Sequence, residues 1–162
     1  MYTKLCATLS KLSLGLAIVG LIGVILCVQW QVFGRYILND TPTWAEALAL
    51  LLVLFVTALG LAVGVRDAGH IGLESMVALL PEVWQRRVEL LIHALVGVFG
   101  VLMTMGGWQW ASAKWTEKKP MLPVPDGIDY VPLVIAGILI VLFSVEHILA
   151  NLRGTVVEPA WN

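Results

Sequence analysis

Charge is the scarce ingredient of this sequence. Asp, Glu, Lys and Arg make up 13% of its 162 residues, against about 25% in soluble domains. They are missing altogether from Leu12–Gly34, Ala47–Val65, Leu90–Ala113 and Tyr130–Val145, runs of 23, 19, 24 and 16 residues. A helix rises about 1.5 Å per residue and a bilayer's hydrocarbon core is roughly 30 Å thick. Three runs therefore span outright, and the fourth spans if its helix continues through Glu146 and His147 to Leu152. The alternation of a barrel strand is lacking too, and lipid offers unpaired backbone groups no partner, so the spans are helices. The sequence predicts an all-α integral membrane protein, a single membrane domain over residues 1–162 with transmembrane helices at about 12–34, 47–66, 88–113 and 130–152.

Other absences exclude whole classes of function. A net charge of −1 argues against nucleic acid as a partner, because binding it requires a basic patch. The only cysteines, Cys6 and Cys27, lie roughly 30 Å apart if one helix carries both, too far for a disulfide. There is no metal-ligand spacing, no glycine-rich phosphate loop and no nucleophile–base pattern, so neither an enzyme nor a bound cofactor or metal is expected. The first three runs hold no acid, and Glu146 is the one carboxylate inside a span, near its end. A carrier coupled to protons or Na⁺ needs ionisable groups deep in the bilayer. Glu146 is instead expected to snorkel or to pair with a helix neighbour. No internal repeat marks an inverted-repeat carrier. The chain reads as an accessory to transport, without a buried ion site.

What is present fills in the organisation. The hydrophobic fraction is 59% and the mean hydropathy +0.90. Lys4 and Lys11 precede the first run, but that run exceeds the roughly 7–15 residues of a signal h-region and leads into Gln29-Trp30-Gln31, so the first helix is expected to stay attached. With the N-terminus inside, Lys4, Lys11, Arg66, Arg86, Arg87 and Arg153 face Arg35, Lys114, Lys118 and Lys119 across the membrane. The positive-inside rule then puts both termini in the cytoplasm. Asn39-Asp40-Thr41-Pro42 is turn chemistry, with Thr43 as the expected N-cap of the second helix. Leu73, Met76 or Val77, Leu80, Trp84 and Val88 recur at helical spacing, predicting an interfacial amphipathic helix over 71–80 that lies on lipid. Pro81 either opens a separate short helix or precedes one long third helix over 82–113. Pro120, Pro123 and Pro125 make the segment after Lys114 an extended lid.

Some residues invite sharper readings. Gly60 and Gly64 form a GxxxG in the second helix, and Gly20, Gly23, Gly97 and Gly100 provide further small positions for helix contact. His93 and His147 fall at similar depth on antiparallel helices, which would suit a haem-bearing or quinone-enzyme membrane anchor. The alternative is that Glu89 and His93 simply pair at i,i+4. Arg66 and His70, one turn apart, face the headgroups as a cation cluster.

A set of motifs adds a family resemblance. Phe33-Gly34-Arg35-Tyr36 is followed by Pro42-Thr43-Trp44-Ala45-Glu46, Gly60, Val65-Arg66, Gly69-His70-Ile71, Leu80-Pro81, Pro125-Asp126-Gly127 and Tyr130-Val131-Pro132. In order and spacing this resembles the small permease subunit (DctQ type) of tripartite ATP-independent periplasmic, or TRAP, transporters. Where that pattern often has a second acid after the Glu46 position, this chain has Ala47. The resemblance implies an inner-membrane scaffold in a Na⁺-coupled symporter of organic acids. A large permease subunit would hold the ion and substrate sites, and a periplasmic solute-binding protein would deliver the substrate. On that expectation Arg35, Tyr36, Trp44, Glu46, Gly60, Gly64, Arg66 and His70 face the large subunit, and Lys114, Lys118 and Lys119 attract the binding protein.

Overall fold

The computed structural model describes residues 2–40, 42–68, 81–155, 157 and 159. Helix α1 (Tyr2–Phe33) has 32 residues and no proline, so nothing interrupts its backbone ladder. It passes into a π turn at Gly34–Leu38 that Asn39 closes in the left-handed region, with φ 53°. Asn tolerates that region because its short polar side chain bonds locally. A Cβ on Gly34 would stand 2.8 Å from both the Asp40 carbonyl and the Pro42 ring, so only glycine lets this turn close. Helix α2 (Thr43–Val63) ends in a second π turn, Gly64–Ala68. Helix α3 (Glu82–Ala113) leads to the lid and a 3-10 turn at Asp126–Tyr130. Helix α4 (Val131–Arg153) takes Pro132 in its first turn, where a missing N–H costs little, and stops at Gly154 with φ 67° and its N–H on the Ala150 and Asn151 carbonyls.

Among the described residues four helices are long and apolar enough to cross a membrane, and the fourth does continue through Glu146 and His147. The boundaries differ from expectation in two places. Helix α1 begins at Tyr2, since Lys4 and Lys11 are exposed and place no burial cost on the helix. Residues 82–89 belong to one long third helix, beginning at Glu82. Pro42 and Pro81 occupy the N-cap positions with extended ψ, so Thr43 is the first helical residue and not the cap. The expected interfacial helix at 71–80 lies outside the described residues.

The helices stand in a row. Helix α1 packs on α2, α2 on α4 and α4 on α3, while α1 touches α4 more lightly. Burial follows this order: 11% of the apolar window is buried in α1 and in α3, against 33% in α2 and 39% in α4. Each antiparallel hairpin is closed by glycines. A Cβ on Gly20 would stand 2.7 Å from Val56, and one on Gly100 would stand 2.9 Å from the Gly137 carbonyl. Such approach is what holds apolar helices together where lipid supplies no hydrophobic drive. One buried apolar cluster joins the hairpins through Cys6, Leu59, Ala62, Val65, Leu139, Ile140 and Phe143.

Candidate functional site

The polar centre of the molecule lies where α2 ends. In a regular helix three consecutive side chains point in widely different directions, yet Val65, Arg66 and Asp67 are all buried, Arg66 only 2% exposed and Asp67 8%. The π turn over Gly64–Ala68 sits between two neighbours and serves both. Arg66 reaches α4, where its Nε and Nη2 donate to the two carboxylate oxygens of Glu146 at 2.9 and 3.1 Å. Its Nη1 donates to Asp67 Oδ1. Asp67 reaches α1, accepting on Oδ2 from the Ser10 hydroxyl. Glu146 is 2% exposed, so one guanidinium serves two buried carboxylates through charge-assisted bonds.

Further links surround this centre. His147 Nε2 lies 3.0 Å from the Arg66 carbonyl. A carbonyl only accepts, so that nitrogen carries the proton. Tyr2 donates its hydroxyl to the Leu142 carbonyl at 2.7 Å. On the far side of α4, His93 and His147 stack with centroids 4.4 Å apart and planes 7° from parallel, and Asn151 Nδ2 donates to Glu89 Oε2 at 2.7 Å.

This arrangement corrects two expectations. Arg66 does not face outward toward a partner: Glu146 and Asp67 of its own chain occupy it, because burying a guanidinium requires counter-charge at contact. Glu146 does not snorkel: it is buried and pairs with Arg66 on the neighbouring α2. The haem-anchor reading of His93 and His147 is also not supported. Axial imidazoles point their nitrogens at one iron from opposite sides of a porphyrin, whereas these rings lie face to face with no room for a plate between them, and His147 Nε2 is committed to Arg66. Among the described residues no group of three His, Cys, Asp or Glu is placed to hold a metal ion.

The other expected residues are dispersed. Arg35, Tyr36, Trp44 and Glu46 are exposed around the α1–α2 turn, Tyr36 at 79%. Among the described residues nothing stands within 4 Å of where a Cβ on Gly60 or Gly64 would be. His70 lies outside the described residues. In the lid, Lys114 Nζ bonds Glu117 at 2.9 Å and Asp126 at 3.4 Å, and Lys119 bonds Asp129. The Glu117 hydrogen bond, with the charges of Glu117 and Asp126, raises the Lys114 ammonium above the usual lysine value. Among the described residues Lys118 alone of the three lysines has no ion-pair partner. Sequence reasoning missed Ser10, Asp67 and Tyr2. One signal was available: Cys6, Ser10, Ser13 and Ala17, all buried, recur at i, i+4, i+7 and i+11, marking a small, partly polar face on an otherwise greasy helix.

Comparison with known proteins then decides the family. The profile of the DctQ component of tripartite ATP-independent periplasmic transporters matches residues 24–154. The chain belongs to this family. It is a small TRAP permease component, a multi-pass protein of the inner membrane and not an enzyme. It is 28% identical over 82 residues to the sialic acid TRAP transporter small permease protein SiaQ of Vibrio cholerae, covering 49% of this chain and 46% of that one. To the C4-dicarboxylate TRAP transporter small permease protein DctQ of the same organism it is 24% identical over 105 residues, 62% and 45% of the two chains. To the sialic acid TRAP transporter permease protein SiaT of Haemophilus influenzae it is 27% identical over 84 residues, 52% of this chain but 13% of that much longer one. The chain thus spans about half the length, or less, of these relatives.

Proposed function

We propose that this DctQ-family chain is the fixed scaffold subunit of a Na⁺-coupled, binding-protein-dependent secondary transporter for an organic acid. It packs against a large permease subunit and helps a periplasmic solute-binding protein to dock. The carrying observation is how charge is disposed in the folded chain. The buried charges among the described residues, Arg66, Asp67 and Glu146, lie together at one end and engage each other, and the middle of every span is apolar. A coupling site would instead set ionisable groups near mid-membrane. The likeness to one segment of the longer SiaT chain supports a module that works joined to a larger permease. Sialic acid and C4-dicarboxylates, in the relatives' names, are both carboxylates, which favours an organic anion.

Both termini lie in the cytoplasm on this reading. Lys4, Lys11, Arg86, Arg87 and Arg153 are exposed at the end that carries the termini. At the lid end Arg35 and Lys118 are the described cations without a carboxylate partner. The anionic cytoplasmic leaflet attracts the richer end.

Uptake of a radiolabelled C4-dicarboxylate or sialic acid tests the proposal in cells making a large TRAP permease subunit and a solute-binding protein, with and without this chain. Uptake that requires all three components and Na⁺ is the expected result. Undiminished uptake without the chain, or transport by the chain reconstituted alone, overturns the scaffold reading.

A further inference from the structure

The links within each hairpin and the links between hairpins are distributed very differently. Hairpin α1–α2 is closed along its whole length, from Ser10 on Asp67, through Gly20 on Val56 and Gly23 on Leu52, to the Gly34 turn. Hairpin α3–α4 is likewise closed from Asn151 on Glu89, through His147 on His93 and Gly100 on Gly137, to Tyr130 stacked on Trp110 and the lid. Between the hairpins, the described hydrogen bonds and ion pairs fall at one end: Arg66 to Glu146, the Arg66 carbonyl to His147, Tyr2 to Leu142 and the Cys6 thiol to Glu146. The apolar cluster that crosses between them, with Leu59, Ala62 and Val65 against Leu139, Ile140 and Phe143, starts at that same end and extends to Ala17, Met103 and Ala136. Toward the lid no described polar bond crosses from one hairpin to the other.

In water the apolar contacts nearer the lid would hold the hairpins together unaided. In a bilayer they do not, because lipid tails solvate a leucine as well as another leucine does, and association rests on close packing and interhelical hydrogen bonds. The glycine approaches that give such packing here lie inside the hairpins, while Gly60 and Gly64 of α2 meet no described residue within 4 Å.

We propose that the two hairpins form rigid arms joined by one clasp, Arg66–Glu146 with its satellites, and that the arms pivot there so that their lid ends part while the termini ends stay together. The device rests on the geometry alone and holds whatever the complex transports. Buried paired charge suits a pivot, since the bidentate Arg–Glu fork fixes register and separating it strands charge in a dry site.

Four spin-label sites test it on the full chain in nanodiscs, in a background lacking Cys6 and Cys27. Lys11→Cys with Leu149→Cys reads the clasp end, and Tyr36→Cys with Lys118→Cys reads the lid end. Lys11→Cys with Tyr36→Cys, and Lys118→Cys with Leu149→Cys, read each arm and control for label mobility. The lid-end distance distribution is expected to be at least about twofold broader than the other three, as for slow collective motion of packed elements. In Arg66→Met/Glu146→Met the clasp-end distribution should broaden as well, with the arm distributions unchanged. A lid-end distribution as narrow as the clasp-end one overturns the proposal on the parent chain alone. An unchanged clasp-end distribution in the double variant shows that the pivot lies elsewhere.

Discussion

Replacing Arg66 by Met should be among the most damaging single changes available to this chain, and the reason is arithmetic on its partners. The guanidinium is 2% exposed and gives two N–H bonds to Glu146, at 2.9 and 3.1 Å, plus one to Asp67. Removing one member of a buried pair costs about 3–5 kcal/mol, mostly because the other is left charged and unpaired. Arg66→Met leaves two carboxylates in that position, so about 5 kcal/mol is expected. Glu146→Met leaves a guanidinium that keeps Asp67, which argues for the lower bound, about 3 kcal/mol. In Arg66→Met/Glu146→Met the pair is gone altogether, and only the Asp67 carboxylate loses a charged partner while keeping the Ser10 hydroxyl. That loss is worth about 1.5–3 kcal/mol.

The double variant should therefore be more stable than Arg66→Met by at least about 2 kcal/mol, and no worse than Glu146→Met. Unfolding the full chain by SDS titration in mixed micelles measures all three against the parent. If the two single losses simply add in the double variant, or if Arg66→Met unfolds with the parent, the buried ion pair does not hold α2 to α4 and the reasoning fails.

Other sites separate contacts inside the chain from those outside it. Gly137→Ala would drive a methyl into Thr104 and the Gly100 carbonyl, and by the same titration should cost about 1–3 kcal/mol as overpacking does, whereas Gly106→Ala, into open space, should stay within about 0.5 kcal/mol of the parent. Gly60→Leu/Gly64→Leu should leave the chain's own unfolding unchanged and reduce co-purification of the large subunit, the opposite of what a contact within the chain would give. Lys118→Ala should raise the binding-protein concentration for half-maximal uptake more at low salt than at high. Lys114→Ala/Lys119→Ala should instead loosen the lid, seen as faster proteolysis between Glu117 and Asp126, because those two lysines are already held by carboxylates. Asp40→Cys and Lys118→Cys should react with an impermeant thiol reagent on intact cells, in a background lacking Cys6 and Cys27. Reaction only after lysis would reverse the orientation.

The spans were plain in the sequence because burial in lipid leaves a one-dimensional signature, a long run without charge. Gly100 was legible as a helix-contact position, since small residues recur where helices touch, but its partner Gly137 was not. The length of α3 was open from sequence, because Pro81 is as compatible with a break as with a cap, and only its extended ψ of 145° on the structure shows that the helix starts behind it. The stacked histidines show the converse problem. Equal depth on antiparallel helices is all that sequence reports, and equal depth fits axial ligation and face-to-face stacking alike; ring orientation separates them.

The buried ionic centre was illegible for a more instructive reason. A run is delimited by its flanking charges, so Arg66 and Asp67 were read as the point where α2 leaves the membrane, and Glu146 as the end of another run. Each assignment supposes that a charge beside an apolar stretch belongs to water or to headgroups. That holds for a helix alone in lipid. It fails when two helices end their apolar runs at the same level with opposite charges, because pairing then costs less than exposing either helix end at a shifted depth. In this chain a second circumstance applies: in the π turn at Gly64–Ala68 the consecutive residues Val65, Arg66 and Asp67 are all buried, Arg66 on Glu146 and Asp67 on Ser10. A basic-acidic dipeptide directly after an apolar run, with a lone acid near the same depth on another helix and a serine on a small-residue stripe of a third, is thus a pattern for an interhelical clasp. Its components are visible in the sequence, but their relation exists only in three dimensions.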